Sequence, residues 1–419
     1  MIKKNLILSF FSASAKIVGG IGVVSILARV FTLSDFGNFT YSLTLGTVFA
    51  LIVDYGYNIK VIKDVSLNPD NVDNIVSKTT ANKILLFLFT VIAYFVANTL
   101  LKNSHELILT GLFLFLSLVA FSFTNTILSV FKGRKEYTRD LKVVLADNLA
   151  TIVIVPLVAF MTKSIETTSI SFFLSKLIGL IYALRIYTKE NQINFPSFKE
   201  LLIDLQKALP YAVHYWVGNL YLNIDTIIMK PVVSSEDLGI YQSGIRIIIG
   251  LGILLTVINS VYLPLLNENL NNNKKLFKAH VLQLNANVIR LSIIFIFGMI
   301  IFSKLIIIIL FGNKFLELQE IFWILALIVG MRIIGASYGI LLTISDKQSL
   351  RAIAGALGIV LIVVCDLIFI PMYGYQMAAY TLLFAHFFIT AFYIATVYLE
   401  YKTLFVPSWK RLINIKNVI

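Results

Sequence analysis

Residues 252–266 read GILLTVINSVYLPLL, an apolar run in which polar residues do not alternate regularly with apolar ones. A strand of a membrane β-barrel needs such alternation over about 10 residues, so the run does not fit a barrel strand. A helix satisfies its backbone hydrogen bonds within one segment, as a chain in lipid must. The run therefore predicts a helix that crosses a membrane.

The whole chain has the same character. Of its 419 residues, 58% are hydrophobic and 14% are charged, and the mean hydropathy is +0.87. A water-soluble globule of this composition would expose very large apolar patches. Because a spanning helix takes about 20 apolar residues, the apolar blocks predict about twelve helices and an all-α integral membrane fold. These helices are expected near 6–30, 38–60, 81–101, 107–131, 143–161, 167–187, 209–230, 238–264, 284–310, 319–343, 351–371 and 376–399.

The distribution of basic residues predicts the orientation, because cytoplasmic loops retain lysine and arginine. With the N-terminus inside, 23 of the 35 basic residues fall in cytoplasmic segments and six on the opposite side. This bias predicts an even number of helices and two cytoplasmic termini. The first 16 residues resemble a signal peptide, but hydrophobicity resumes directly after them, so we expect them to remain as the first helix.

The net charge of +13 is explained by this bias and by contact with anionic membrane lipids, so it does not indicate a nucleic acid partner. The single cysteine, Cys365, excludes an intrachain disulfide and a site made of several thiolates.

A short turn occurs twice, as LSDFGNFTYS at 33–42 and as SEDLGIYQSG at 235–244. Each copy contains Asp, an apolar residue, Gly, any residue and an aromatic residue. Apolar segments that are expected to end at Pro156 and Pro371 follow in nearly the same register. A repeat of six helices explains both features, whereas a turn this short also recurs by chance.

The repeat predicts two lobes around a central cavity, which is a transporter geometry. The expected parts are an N-terminal lobe at 1–190, an interfacial linker at 191–208, a C-terminal lobe at 209–400 and a basic cytoplasmic tail at 401–419. The end of the linker is predicted to be amphipathic, with one apolar face formed by Phe198, Leu201, Leu202, Leu205 and Leu209.

Five segments resemble the polysaccharide and O-antigen repeat-unit flippases of the multidrug/oligosaccharidyl-lipid/polysaccharide (MOP) exporter superfamily. They are ARVFTLSDFGNFTYS at 28–42, LIVDYGYNIKVIKDVS at 51–66, the opening of the second lobe at 209–247, FGNKF at 311–315 and IPMYGYQMAAY at 370–380. Each is weak alone, and their order along nearly the whole chain makes the resemblance fairly specific.

The resemblance implies that two six-helix lobes move a polyprenyl-diphosphate-linked oligosaccharide from the cytoplasmic to the outer leaflet of the bacterial inner membrane. Such transport would supply O-antigen or capsule synthesis, with a polysaccharide polymerase as a partner. The chain departs from the family pattern at Asp366, where Asn is common, and at Gln376 and Met377, where Gly-Ala is common. These departures concern the packing of the last two helices.

Six basic residues lie inside apolar blocks, where a charge at the bilayer centre costs roughly 2.5–3.5 kcal/mol. Lys83 and Arg290 are near the predicted cytoplasmic ends and are expected to snorkel to the membrane surface. The other four are expected to lack a compensating acid and to line a cationic cavity that binds the diphosphate, since guanidinium and ammonium groups hold phosphate oxygens. They are Lys16, Lys176, Arg246 and Arg332. The alternative is a structural role within the bundle.

Four acids also lie within apolar blocks, close to helix ends: Asp54, Asp147, Asp225 and Asp366. One interpretation is that they cap helices, bind water or pair with a base. The other is that they exchange a proton or a sodium ion whose gradient drives transport. Asp225, close to Asn219 and Asn223, is the preferred coupling residue. No metal site and no organic cofactor is predicted.

Three alternatives have different sequence requirements. A multidrug exporter of the same superfamily needs a cavity dominated by carboxylates, and a peptidoglycan-precursor flippase usually has more than twelve helices. A membrane glycosyltransferase or polymerase needs sizeable loops with catalytic residues. The longest loops, 61–80 and 188–208, contain no metal-ligand spacing, nucleophile elbow or phosphate-binding glycine loop, so no enzyme is predicted.

Overall fold

The computed structural model describes residues 2–194, 196–403 and 405–407, without the side chains of 2–7, 9, 10, 13, 17, 18 and 271. These residues form helices and no strand. The chain divides between Gly239 and Ile240 into two compact units. Residues 408–419 of the predicted basic tail lie outside the described residues.

Fifteen α-helices make up the described chain. The first unit contains α1 (Ile2–Val30), α2 (Leu33–Asp54), α3 (Tyr57–Leu67), α4 (Val72–Leu100), α5 (His105–Gly133), α6 (Tyr137–Thr162), α7 (Ile165–Tyr187), α8 (Phe198–Leu220) and α9 (Ile224–Met229). Helix α10 (Ser235–Asn272) begins in this unit and continues into the second. The second unit contains α11 (Lys274–Ile301), α12 (Ser303–Leu310), α13 (Gln319–Ile344), α14 (Gln348–Tyr373) and α15 (Gln376–Tyr401).

The predicted all-α membrane fold is confirmed. Within the described residues, ten helical segments are long and apolar enough to cross a membrane. The other two predicted spans, 6–30 and 209–230, are helical as α1 and as α8 followed by α9. Large apolar side chains on the outside of the helices remain exposed, such as Phe89 at 73% and Ile92 at 66% on α4. In a lipid bilayer these apolar side chains contact hydrocarbon, so their exposure carries no hydrophobic cost.

Each unit is organised around one helix. In the first unit, α5 packs against α2, α3, α4, α6 and α7, and α1 packs against α6. In the second unit, α13 packs against α11 and α15, and α14 packs against α15. The central position of α5 is important for the polar residues described below.

The repeated turn has the same local structure in both copies. The Thr32 hydroxyl accepts a hydrogen bond from the Asp35 amide at 3.1 Å at the start of α2. The Ser234 hydroxyl accepts one from the Asp237 amide at 3.0 Å at the start of α10. Each turn is therefore a helix N-cap with the side-chain oxygen that such a position favours.

Neither helix ends at its proline, although the predicted spans 143–161 and 351–371 end within two residues of the observed helix ends. Helix α6 continues past Pro156 to Thr162, and α14 continues past Pro371 to Tyr373. A proline inside a helix removes one backbone hydrogen bond. In a membrane bundle, neighbouring groups satisfy the backbone carbonyl that is left free.

Two predicted helices are broken. The segment 38–60 divides into α2 and α3 because Tyr55 and Gly56 adopt positive φ angles of 51° and 69°. The segment 284–310 divides at Phe302, next to the polar residues Ser303 and Lys304.

The amphipathic segment of the linker does not form a separate helix. Helix α8 runs without interruption from Phe198 through Pro210 to Leu220, and packs against α2, α3 and α4. Its Phe198 and Leu202 side chains are exposed, as expected for an interfacial face. The assignment of two six-helix lobes stays a prediction.

Candidate functional site

The centre of α5 carries a short polar stretch, Ser122-Phe123-Thr124-Asn125-Thr126, within an otherwise apolar helix. Because α5 is surrounded by other helices, polar groups on different sides of this stretch meet different neighbours. Two groups of charged side chains form around it.

The first group, the Asp54 cluster, consists of Asp54, Asn58, Lys83 and Ser122. The Lys83 ammonium donates to the Ser122 carbonyl at 2.9 Å and to its hydroxyl at 2.8 Å, and lies 3.8 Å from the Asp54 carboxylate. Asp54 Oδ2 also accepts hydrogen bonds from the Ser122 hydroxyl at 2.8 Å and from the Asn58 amide at 2.8 Å. Lys83 is 0% exposed and Asp54 is 3% exposed, so this is a buried ion pair supported by polar neighbours.

The second group, the Phe121 cluster, consists of Lys16, Phe121, Asn125, Asp147 and Lys176. The Lys16 ammonium donates to Asn125 Oδ1 at 2.9 Å, and the Lys176 ammonium donates to Asp147 Oδ2 at 2.7 Å. Both ammonium groups also lie over the Phe121 ring, at 5.3 Å and 4.9 Å from its centroid. Cation–π attraction therefore adds to the polar contacts of both lysines.

The two clusters lie at a similar depth in the first unit. Four of their residues are 10 or 11 residues from helix ends that the chain topology places on one side, which corresponds to about 15–17 Å at 1.5 Å per residue. They are Lys83, Ser122, Asp147 and Lys176. Since the hydrocarbon core is about 30 Å thick, this is close to the middle of a bilayer.

The two clusters differ in their ratio of basic to acidic side chains. Lys83 and Asp54 form one cation and one anion. In the Phe121 cluster, Asp147 faces two lysines, and among the described side chains no carboxylate lies within ion-pair distance of Lys16. The Phe121 cluster therefore holds two basic side chains and one acidic side chain.

Two predicted cationic residues lie in the second unit and are not part of these clusters. Arg246 on α10 donates to Gln242 Oε1 at 3.3 Å, and Arg332 on α13 donates to the Ile248 carbonyl at 3.4 Å. Arg332 lines a cavity of about 10 Å³ with Gly252 and neighbouring apolar residues. A cavity of this size has room for about one water molecule.

The remaining predicted acids are buried. Asp225 on α9 is 0% exposed, and its Oδ1 accepts a hydrogen bond from the Thr226 amide at 2.7 Å. Asp366 on α14 is also 0% exposed. Asp225 belongs to the first unit and Asp366 to the second.

The structure corrects two expectations about the lysines. Lys83 does not snorkel to the surface, because its ammonium is fully buried against α5. Lys176 does not lack a compensating acid, because it pairs with Asp147. Of the four aspartates, Asp54 and Asp147 have the lysine partners that the structural interpretation anticipated.

Sequence reasoning missed the residues that organise the clusters, Phe121, Ser122 and Asn125. A signal was present, since polar residues grouped in the centre of an apolar membrane helix need partners within the protein. A further polar group was also missed: Asp204 on α8 binds the Lys60 ammonium at 2.6 Å and the Tyr57 hydroxyl at 2.9 Å. These contacts connect α8 with α3.

Comparisons with known proteins agree with a transporter fold. A family model described as polysaccharide biosynthesis protein matches residues 2–270. No curated protein sequence matches the chain.

Several solved structures are similar over nearly the whole chain. They include the lipid II flippase MurJ in an inward closed conformation, with a TM-score of 0.72, 14% identity, and coverage of 97% of this chain and 89% of that one. An inward-facing multidrug resistance MATE family transporter of the MOP superfamily has a TM-score of 0.64 and 13% identity, with 95% of each chain covered. A MOP superfamily transporter from Pyrococcus furiosus, described with a binding pocket of reverse polarity, has a TM-score of 0.66 and 12% identity, covering 95% of this chain and 94% of that one. At these identities the similarity shows the fold alone.

Proposed function

The chain belongs to the polysaccharide biosynthesis protein family, and from this premise we propose that it is a flippase for a polyprenyl-diphosphate-linked oligosaccharide. It moves one repeat unit from the cytoplasmic to the outer leaflet of the bacterial inner membrane by alternating access. The product supplies the synthesis of a surface polysaccharide such as O-antigen or capsule, next to a polymerase. The proposal contains no catalytic step.

The excess of basic over acidic side chains in the Phe121 cluster supports an anionic substrate. Lys16 holds an amide oxygen and an aromatic face, both of which are weaker partners for an ammonium group than a phosphate oxygen is. A diphosphate that reaches Lys16 therefore gains a charge-assisted hydrogen bond at low cost. A cationic drug in the same place would be repelled. Arg246 and Arg332 are the corresponding candidates in the second unit.

Transport is measured with the purified protein in proteoliposomes, using a fluorescent polyprenyl-diphosphate oligosaccharide and a membrane-impermeant quencher. We expect the protein to speed flipping and Lys16→Gln to slow it about tenfold or more, because a hydrogen bond to a charged group contributes about 1.5–3 kcal/mol. Lys16→Arg retains most of the rate, and Lys207→Gln, at an exposed position on α8, serves as the matched control.

Two results contradict the proposal. One is a flipping rate that stays at the level of empty liposomes. The other is export of a cationic dye without flipping of the lipid-linked sugar, which is the behaviour of a multidrug exporter.

The same liposomes test the driving force. We propose that a proton or sodium gradient drives transport, with Asp225 as the first coupling candidate and Asp54, Asp147 and Asp366 as the others. A gradient of the coupling ion is expected to raise the initial rate in the wild type, and Asp225→Asn is expected to abolish the response. Equal rates with and without both gradients would contradict ion coupling, whereas the flippase assignment would stand.

A further inference from the structure

An open groove runs between α1 and α6 in the first unit. Among the described residues it is lined by Phe11, Ser14, Ala15, Leu141 and Leu145, and its volume is about 330 Å³. Phe11 is 58% exposed and Leu145 is 42% exposed, so the groove opens onto the surface of the unit. We call it the α1–α6 groove.

The lining indicates what the groove is able to hold. Leu141 and Leu145 are four residues apart on α6, and Phe11, Ser14 and Ala15 have helical spacing on α1, so each helix contributes one narrow strip. The small Ser14 and Ala15 side chains leave space opposite the two leucines. A narrow apolar slot of this kind suits a segment of hydrocarbon chain.

Positive charge is placed beside this apolar slot. Lys142, which follows Leu141, is exposed and has no ion-pair partner among the described side chains. Lys132 lies 3.8 Å from Asp140, a carboxylate that also accepts a hydrogen bond from Ser12 at 2.7 Å. Lys16 follows Ala15 directly and belongs to the Phe121 cluster. The apolar slot thus adjoins basic residues on both of its helices.

Another nearby cation is already neutralised. Arg139 lies 2.6 Å from the Glu190 carboxylate and 3.1 Å from that of Glu136. Its hydrogen bonds lower the pKa of Glu190, which favours the charged form of that carboxylate. Lys132 is likewise paired with Asp140, so the positive charge available for a ligand beside the groove comes from Lys142 and, deeper, Lys16.

We propose that the α1–α6 groove holds a segment of the polyprenyl chain of the lipid-linked substrate, with the diphosphate directed toward Lys142. The assignment rests on the proposed function and adds a location for the tail. An isoprenoid segment matches the apolar lining of the groove, and the adjoining ammonium groups match the diphosphate. The tail remains in contact with the bilayer while the head group is within reach of Lys16.

Photo-crosslinking tests this assignment directly. The protein is placed in nanodiscs of phosphatidylcholine and phosphatidylglycerol with a sugar-free polyprenyl diphosphate that carries a diazirine on its isoprenoid chain. We expect cross-links at residues 11–15 of α1 and 141–145 of α6, and their loss when unlabelled polyprenyl diphosphate is added. Leu145→Trp fills the groove and is expected to lose most of these cross-links.

The matched control is Leu149→Trp, one turn further along α6 at a position that is 59% exposed and does not line the groove. This variant is expected to cross-link like the wild type. Equal loss in both variants, or cross-links spread evenly over exposed faces such as that of α4, would overturn the assignment. So would competition by phosphatidylglycerol that is as effective as competition by polyprenyl diphosphate.

The flipping assay separates this inference from the proposed function. If Leu145→Trp flips the substrate as fast as Leu149→Trp does, the groove assignment fails and the flippase proposal stands. If the groove is cross-linked by the polyprenyl probe but the wild type flips nothing, the flippase proposal fails and the tail-binding site stands.

Discussion

Lys83 lies in the most completely buried ion pair of the described first unit, and its surroundings explain why it is tolerated there. An isolated ammonium group in the hydrocarbon layer is costly, but here the Ser122 oxygens and the Asp54 carboxylate surround it. In turn, Asp54 has hydrogen bonds from Ser122 and Asn58. Removing either charge leaves the other without its counterion.

The first prediction concerns this pair. Lys83→Met leaves the Asp54 carboxylate buried without a cation, which costs about 3–5 kcal/mol in proteins. We expect a clearly lower thermal midpoint of the detergent-solubilised protein, measured by tryptophan fluorescence. The double variant Lys83→Met/Asp54→Asn removes both charges and should recover most of the loss.

An unchanged midpoint in Lys83→Met would show that the pair contributes nothing to stability. A double variant as unstable as the single one would show that the loss comes from packing and not from charge.

Lys83 also shows how far the sequence allowed the site to be predicted. The apolar block predicts a helix that begins at residue 81, with Lys83 near its start. Helix α4 instead begins at Val72, and its first turns are polar and contact other helices. The depth of Lys83 was therefore misjudged by about two and a half turns. Lys16 and Lys176 were placed correctly at mid-helix, but no sequence rule could show that both meet the ring of Phe121.

At the scale of helices, the starts of α2 and α10 approach each other very closely. A Cβ atom on Gly37 would overlap the backbone carbonyl oxygen of Ser235, and one on Gly239 would lie 2.8 Å from the carbonyl oxygen of Leu33. The Lys230 ammonium adds hydrogen bonds to Asn38 Oδ1 at 2.7 Å and to the Ser235 hydroxyl at 2.9 Å. The glycines of the repeated turn are thus required by contact between its two copies.

The second prediction uses this contact. Gly37→Ala is expected to lower the thermal midpoint, because the new methyl group meets backbone that is not free to move aside, and overpacking costs about 1–3 kcal/mol. Gly22→Ala on α1 is the control, since among the described residues no atom outside the adjacent backbone of α1 lies within 4 Å of its added Cβ. Alanine there should raise stability, because Gly costs about 1 kcal/mol in a helix interior. Shifts of the same sign in the two variants would contradict the close approach.

The elements differ in how well the sequence predicted them. Apolar length predicted the long helices, because a spanning segment has no other way to satisfy its backbone. The break between α2 and α3 depends on the left-handed conformation of Tyr55, a residue type that seldom adopts it, so local sequence gave little warning. The continuity of α8 depends on the burial of Asp204 against Lys60 and Tyr57, which is a tertiary contact.

For the whole molecule, charge distribution and transport direction are linked. The basic residues beside the α1–α6 groove lie in or near the loop between α5 and α6, which the positive-inside bias assigns to the cytoplasm. A substrate made in the cytoplasm would first meet the protein on that side. An inverted orientation would place the same lysines at the outer face, where they would bind the product instead.

The third prediction tests this orientation with single cysteines. In a Cys365→Ser background, we introduce Glu106→Cys at the start of α5 and Lys189→Cys just after the end of α7, both at exposed positions. With the N-terminus in the cytoplasm, three spans precede Glu106 and six precede Lys189, so Glu106 is expected outside and Lys189 inside. A membrane-impermeant maleimide should label Glu106→Cys in intact cells and Lys189→Cys only after permeabilisation, while the Cys365→Ser parent stays unlabelled. The opposite pattern would put the basic loops outside, and the groove would then be an exit for the lipid-linked sugar and not its entrance.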